Sequence, residues 1–307
     1  MRKRKSWTKR DRILFLMACA GAVFLVIFAY CPMFGLVLAF KDGDRSMNLM
    51  RSILAGEWTL ENFTTLYTDE IFWQTFFNTL KINILMMIFG FPMPIIFALL
   101  MNEVRVKALK SGIQTICNFP HFLSWTVFGG IIISLTASDT GIINPILEAL
   151  GLSTKENPVD LNLSQFFYPK IIIASVLKGF GWGSIVYTAA IVGIDQELYE
   201  AAVIDGANRW TRAIKITLPL ISSTITVFLL LKISNILGNS FEQFYVFESK
   251  DDISVSRVLA TYAYELSFTR SKWSTATVLS LSDGVISVIL LLGSNFISKR
   301  ITGRGVF

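Results

Sequence analysis

The chain has 307 residues, of which 53% are hydrophobic and only 16% charged, against about 25% charged in a soluble domain. With a mean hydropathy of +0.56, that deficit excludes an ordinary soluble globular protein and predicts a polytopic membrane protein. A single histidine excludes a multi-histidine metal site, and three scattered cysteines argue against a disulfide framework. No G-x-x-x-x-G-K-[ST] phosphate loop occurs, so the chain is not itself an ATPase of that class.

The opening MRKRKSWTKRDR carries seven Lys/Arg in twelve residues. The apolar stretch behind it is longer than the roughly 7–15 residues of a signal peptide, and no convincing A-x-A cleavage site follows. It therefore reads as an uncleaved first span, 13–40, with a cytoplasmic N-terminus. A span needs about 20 mostly apolar residues. Five more stretches qualify: 71–101, 119–135, 171–194, 218–237 and 276–297, the third interrupted by Pro120, Ser124 and Gly129-Gly130. Six spans put 102–118, 195–217 and the C-terminus on the same side as the N-terminus. Seven basic residues fall in the N-terminus and three in each of the other inner segments. The three outer loops carry nine basic and fifteen acidic residues. Positive charge collects inside, as the topology requires. Within the outer loop 136–170, Ile142, Ile143, Ile146, Leu147 and Leu150 recur at helical spacing and predict a short interfacial helix.

Between the fourth and fifth spans lies EAAVIDGANRWTRAIKITLPLI, residues 200–221. Asp195 is placed to cap a helix opening Gln196-Glu197-Leu198. Leu198, Ala201, Ala202 and Ile204 give that helix an apolar face. Gly206 supplies a left-handed turn, a second helical piece resumes at Asn208-Arg209-Trp210, and Pro219 marks entry to the fifth span. From pattern alone the piece reads either as a linker on anionic headgroups or as a docking surface for another protein.

The letters point to the second. Glu200-Ala201-Ala202, three residues, Gly206, nine residues, Ile216-x-Leu218-Pro219 resembles the EAA loop of ABC importer permeases at every fixed position and both gaps. Further stretches, among them AYCPMFGLVLAFKD, FPHFLSW, GWGSIVYTAAIVGID and FEQFYV, are similar to carbohydrate-uptake permeases, nearest the oligosaccharide branch, over most of the chain. Ala213-Ile214 replaces the bulkier residue often found before I-x-L-P. The resemblance implies an all-α integral membrane fold of six transmembrane helices. Its five-helix permease core would run over 70–298, after an N-terminal segment, 1–69, and before a tail, 299–307. It implies a coupling helix in which Glu200, Ala201, Ala202, Asp205, Gly206 and Arg209 meet an ATPase. The implied partners are a second homologous permease, a dimer of ABC ATPases holding ATP-Mg, an extracellular solute-binding protein, a saccharide and membrane lipid. No cofactor in this chain and no nucleic acid are implied. The location would be the bacterial plasma membrane, and the mechanism alternating access.

Charges within the spans are few: Lys81, Lys178, Lys232 and Asp283. Intramembrane charge is costly and marks a functional hypothesis by default. At about 1.5 Å per residue all four lie roughly 8–15 Å below the outer surface, a polar band suited to an acidic or strongly polar saccharide. The same lysines are also able to snorkel to headgroups. Sugar sites join aromatic faces to amide or carboxylate groups, which Trp182, Tyr187, Asn235, Asn239, Glu242 and Gln243 supply. His121 reads as a packing residue. Gly179-x-Gly181-x-Gly183 reads as close helix packing, not as a nucleotide fingerprint. The rival reading from another class is an ion-coupled secondary transporter, with Asp283 as its proton carrier; inverted repeats and an ion site, its usual marks, are not evident.

Overall fold

The computed structural model describes residues 8–42, 49–154, 156, 158–238, 240–249 and 251–302. Among these the chain is helical apart from turns and one antiparallel bridge between Lys41 and Trp58. We label the longer helices, and the two short ones that bear on the site, in chain order: α1 Lys9–Leu25, α2 Glu70–Gly90, α3 Pro92–Glu103, α4 Lys107–Asn118 and α5 Trp125–Leu135. They continue with α6 Phe167–Val192, α7 Gln196–Ile204, α8 Arg209–Arg212, α9 Ser222–Ser234, α10 Phe241–Val246 and α11 Trp273–Thr302.

Four stretches are long and apolar enough to cross a membrane: Lys9–Phe40, Glu70–Glu103, Ser164–Val192 and Trp273–Arg300. The expected third and fifth spans differ from straight helices. Lys107–Phe122 and Trp125–Leu135 form one pair bent by 102°, and Arg209–Leu220 and Ser222–Ser234 another bent by 63°. Counting each pair as one span gives the six that the sequence predicts. Both breaks follow a proline. Pro120 and Pro219 each lack the N–H that would continue the ladder, and two to four residues later the backbone leaves the helical path. The expected interfacial helix is present as Ile143–Ala149, held by Asn144, whose side-chain amide reaches the carbonyls of Ala137, Ser138 and Val159.

The chain divides into two compact units. The smaller comprises the described residues up to Asp69 together with Ala263–Ser282; in it Tyr67 and Ser282 share a 2.8 Å hydrogen bond, and no residue of α1 is buried. The larger comprises Glu70–Tyr262 with Asp283 onward. Its core gathers Ile82, Phe128, Phe167, Ile171, Ala174, Phe244, Phe247 and Val258, and a second cluster joins Ile95, Ala98, Tyr187, Ile191 and Ile221. In lipid, apolar contact by itself gives little net drive, so close approach and interhelical hydrogen bonds hold such a bundle. Gly181 illustrates the first: a Cβ there would run into the carbonyl of Cys117 on α4. Thr79 illustrates the second, accepting from the Leu259 N–H at 3.0 Å.

Candidate functional site

Two features of the larger unit hold most, but not all, of the polar residues singled out from the sequence. The first surrounds the break between α4 and α5. After Pro120 the helix tightens into a 3₁₀ turn, Phe119–Phe122, and Leu123 and Ser124 are extended. Such a break frees helix-end carbonyls on one side and N–H groups on the other, and hydrocarbon offers nothing to satisfy them. The chain closes both ends with its own side chains. Lys178, 7% exposed at the middle of α6, sends its ammonium to the carbonyls of Pro120 at 3.0 Å, of His121 at 3.1 Å and, closest, of Leu123. A lysine has three N–H donors, so all of them are used. On the other side, Ser124 Oγ accepts from Val127 N at 3.2 Å. Glu242 Oε1, from the first turn of α10, accepts from Thr126 N at 3.2 Å and from its hydroxyl at 2.9 Å. Cation meets helix C-terminus and carboxylate meets helix N-terminus, the signs that the helix dipole favours.

The groups around the break form a cavity of about 340 Å³ lined by His121, Ser124, Trp125, Lys178 and Glu242. Ser175 and Gly179 join it to a second cavity, of about 370 Å³, reached by Trp182, Tyr187, Phe228 and Lys232. Trp182 stacks on His121 with centroids 4.5 Å apart and rings 3° from parallel. The Tyr187 ring meets Phe228 edge-on at 5.9 Å. Gln243 Nε2 donates to Ser175 Oγ at 2.6 Å, in the shared wall.

The four intramembrane charges are therefore not equivalent. Lys81 lies 4.0 Å over the Tyr168 ring and Lys178 is saturated by carbonyls. Lys232, near the end of α9, faces the larger cavity with no partner among the described residues. Asp283 on α11 has a buried Oδ1 that likewise lacks one. Asn235 is the C-cap of α9 and lines neither cavity, and Asn239 lies outside the described residues. Thr126, Trp125 and Phe228 belong to the site without having been singled out, and Ser124 was marked only as an interruption of the span. Only Ser124, sitting just before an apolar helical run, carried a readable signal as an N-cap.

The second feature is the segment between α6 and α9. Asp195 caps α7 by accepting from Glu197 N at 3.1 Å. At the other end the N–H of Ala207 reaches the Ala202 carbonyl at 2.8 Å and that of Gly206 reaches Val203 at 3.0 Å, the paired bonds of a Schellman turn. Gly206 takes φ +79°. Asn208 then caps α8 through Thr211 N at 2.8 Å. Helix, left-handed turn and helix follow as the sequence predicts. Glu200, Ala201, Asp205 and Arg209 are exposed and Ala202 is half-buried. Arg209 approaches Glu103 at 3.6 Å on the surface. Of the segment's exposed large apolar side chains, Ile204 at 86% and Trp210 at 72% stand furthest out.

Away from both features, Asp251 ties loops together, accepting from the Ser249 hydroxyl at 2.5 Å, the Ser164 hydroxyl at 2.7 Å and the Ser164 N–H at 3.0 Å. These bonds, that from Ser249 foremost, hold its carboxyl well below the ordinary aspartate range.

Comparison with known proteins accounts for this arrangement. The family described as "Binding-protein-dependent transport system inner membrane component" matches residues 90–303. Protein LplB of Bacillus subtilis (strain 168) is 38% identical, covering 97% of this chain and 92% of that protein. The polygalacturonan/rhamnogalacturonan transport system permease protein YteP of the same organism is 34% identical over 97% of this chain and 91% of its own length. Among solved structures, a chain of a bacterial alginate ABC transporter, in complex with alginate pentasaccharide-bound periplasmic protein, superposes with a TM-score of 0.84. It is 34% identical, covering 97% of this chain and 98% of that one. This chain therefore belongs to the binding-protein-dependent transport system inner membrane components, and is a multi-pass membrane permease of that family rather than an enzyme.

Proposed function

We propose that this chain is one of two permeases of an ATP-driven importer for acidic oligosaccharides. Its N- and C-termini lie in the cytoplasm, a permease core runs over 70–298, and 1–69 and 299–307 flank it. The observation that carries the coupling role is the α7–Gly206–α8 segment. It is a preformed helix-turn-helix between two spans that exposes Ile204 and Trp210 instead of burying them. Such anchors suit a cleft on a protein partner. The separate ATPase pair, with its ATP-Mg, would supply that cleft, with Glu200, Ala201, Ala202, Asp205, Gly206 and Arg209 at the contact. On the basic-inside reading, this segment faces the cytoplasm, where ATP is.

The substrate class rests on the larger cavity. Trp182 and Phe228 offer aromatic rims, Tyr187 a ring wall, and Lys232 an ammonium with no partner among the described residues. That combination suits a sugar ring bearing a carboxylate. The names of similar proteins run the same way: YteP is a polygalacturonan/rhamnogalacturonan permease, and a transporter that superposes with a TM-score of 0.84 imports the acidic polysaccharide alginate. Glu242 Oε2 has no hydrogen bond among the described residues, lies beside the smaller cavity, and would accept sugar hydroxyls. Lys178, with every donor engaged, acts in the pathway by holding the broken span in place. Asn235, Asn239, Gln243 and Asp283 remain proposals as pathway residues, Gln243 through its hold on Ser175. A solute-binding protein would deliver the saccharide from outside.

Purifying a tagged chain from its host tests the assembly. A second permease and an ABC ATPase should come with it in mild detergent; repeated recovery of the chain alone in an active state would contradict the reading.

A further inference from the structure

Helix α7 is held to the rest of the chain by little. The Asp195 cap and the Schellman turn are local to it. Among the described residues a single side-chain hydrogen bond leads from α7 to another element: Tyr199 Oη to Thr217 Oγ1, at 2.8 Å. Thr217 is 1% exposed. It closes the π-helical turn Ala213–Thr217, and its hydroxyl donates to the Arg212 carbonyl at 3.4 Å, which leaves the Tyr199 hydroxyl to donate to Thr217. The next residues, Leu218–Leu220, lead to the bend of 63° at Ile221 into α9. Single π-helical turns inside helices recur at functional sites because their extra residue lets the helix shift register locally.

The other tie in the neighbourhood is the Arg209–Glu103 pair. Its side chains are 62% and 33% exposed. An exposed pair of that kind contributes about 0–1 kcal/mol and is screened by salt. A directional O–H···O bond to a buried threonine is better placed to carry a displacement.

We propose that the Tyr199–Thr217 hydrogen bond is the joint through which movement of α7 reaches the span 213–234, with Tyr199 a positioning residue. The inference rests on the reading of α7 as the surface that an ATPase moves. Gly206 lets α7 swing, the π turn lets the span yield, and the hydroxyl pair keeps the two in register.

The test uses the intact complex purified through a tag on this chain, with hydrogen–deuterium exchange followed before and after trapping with ATP and vanadate. In the wild type, trapping should change exchange in both 196–208 and 213–234. In Tyr199→Phe and in Thr217→Val the change in 196–208 should persist, while that in 213–234 falls about five-fold, the factor that one ordinary hydrogen bond is worth. Thr217→Ser keeps the hydroxyl and should restore it, which a purely structural role for the threonine methyl would not do. The double variant should lose no more than either single one, as for two ends of one bond. Wild-type transmission in both Tyr199→Phe and Thr217→Val overturns the joint. A wild-type complex whose 196–208 segment ignores ATP and vanadate overturns the ATPase reading itself, and the joint with it.

Discussion

The break at 120–124 and the turn at Gly206 are both places where helices stop, and they are finished in opposite ways. At the break, both sides are met by side chains of the same chain: Lys178 for the carbonyls of Pro120, His121 and Leu123, Ser124 and Glu242 for the N–H groups of Val127 and Thr126. At the turn, the backbone is closed by its caps but the apolar side chains Ile204 and Trp210 are left outside. The first region is closed by bonds within one chain, and the groups that close it line a cavity. The second leaves apolar surface exposed, which is why we propose that a partner covers it. The comparison also sorts charged residues. A lysine saturated by carbonyls, as Lys178 is, serves the backbone around it, while Lys232, without a partner among the described residues, opens on a cavity and is the one we propose for a ligand.

The largest expected effect comes from opening the closed region. Lys178→Met keeps the length and removes the charge, leaving three carbonyls in a low-dielectric interior. At about 1–3 kcal/mol for each unsatisfied group, the loss is about 3 kcal/mol or more. The purified complex should denature at clearly lower temperature and accumulate poorly in the membrane. Unchanged thermal stability would mean that the break does not depend on its cation.

Next comes Gly206→Val, which breaks the open region without touching the spans. A β-branched residue at φ +79° carries strain of about 1–3 kcal/mol, and α7 would leave its direction to escape it. Saccharide uptake should fall steeply at wild-type protein level in the membrane, as it should for Glu200→Arg. Normal uptake by both would separate the segment from coupling.

Lys232→Ala sharpens the contrast with Lys178. A charge-assisted hydrogen bond is worth about 1.5–3 kcal/mol, so the concentration giving half-maximal uptake of an oligogalacturonate should rise about ten-fold or more. A neutral oligosaccharide should show no such change. An equal effect on both, or on neither, removes the carboxylate reading.

The smallest effect is expected at Asp251. Its folded carboxyl titrates below the ordinary value near 3.8, so its stabilising bonds are complete above that value and are lost only as pH falls through the lower, folded one. The tie to Ser164 and Ser249 should hold through the whole neutral and mildly acidic range. Asp251→Asn should modestly raise proteolytic nicking near 249–252 at neutral pH, and wild-type resistance in that variant would make the tie dispensable.

Much of this was legible in the sequence where chemistry is local. Hydropathy marked the spans, and Asp195, Gly206 and Pro219 announced cap, turn and bend because each acts on its own neighbours. Pro120 and Ser124 signalled that the third span is interrupted, but not that the chain turns by 102° there, since that angle depends on what closes the exposed ends. The closing groups are 55 to 58 residues away for Lys178 and 116 for Glu242. For the same reason the four intramembrane charges looked alike as letters. Only their surroundings separate Lys81 on an aromatic face and Lys178 among carbonyls from Lys232 in a cavity. Tyr199 and Thr217 likewise looked like ordinary letters of the loop until the fold set their hydroxyls 2.8 Å apart.

The central claim is that this permease moves a saccharide only when an ATPase drives the α7–Gly206–α8 segment. It is tested most directly by uptake of a labelled oligogalacturonate into proteoliposomes. The reconstituted complex would contain this chain, its co-purifying permease and ATPase, and the cognate binding protein. Uptake that requires hydrolysable ATP on the ATPase side, ignores proton and sodium gradients, and is lost in Gly206→Val is the predicted result. Uptake by this chain without an ATPase, driven by an ion gradient and abolished by Asp283→Asn, would contradict the account.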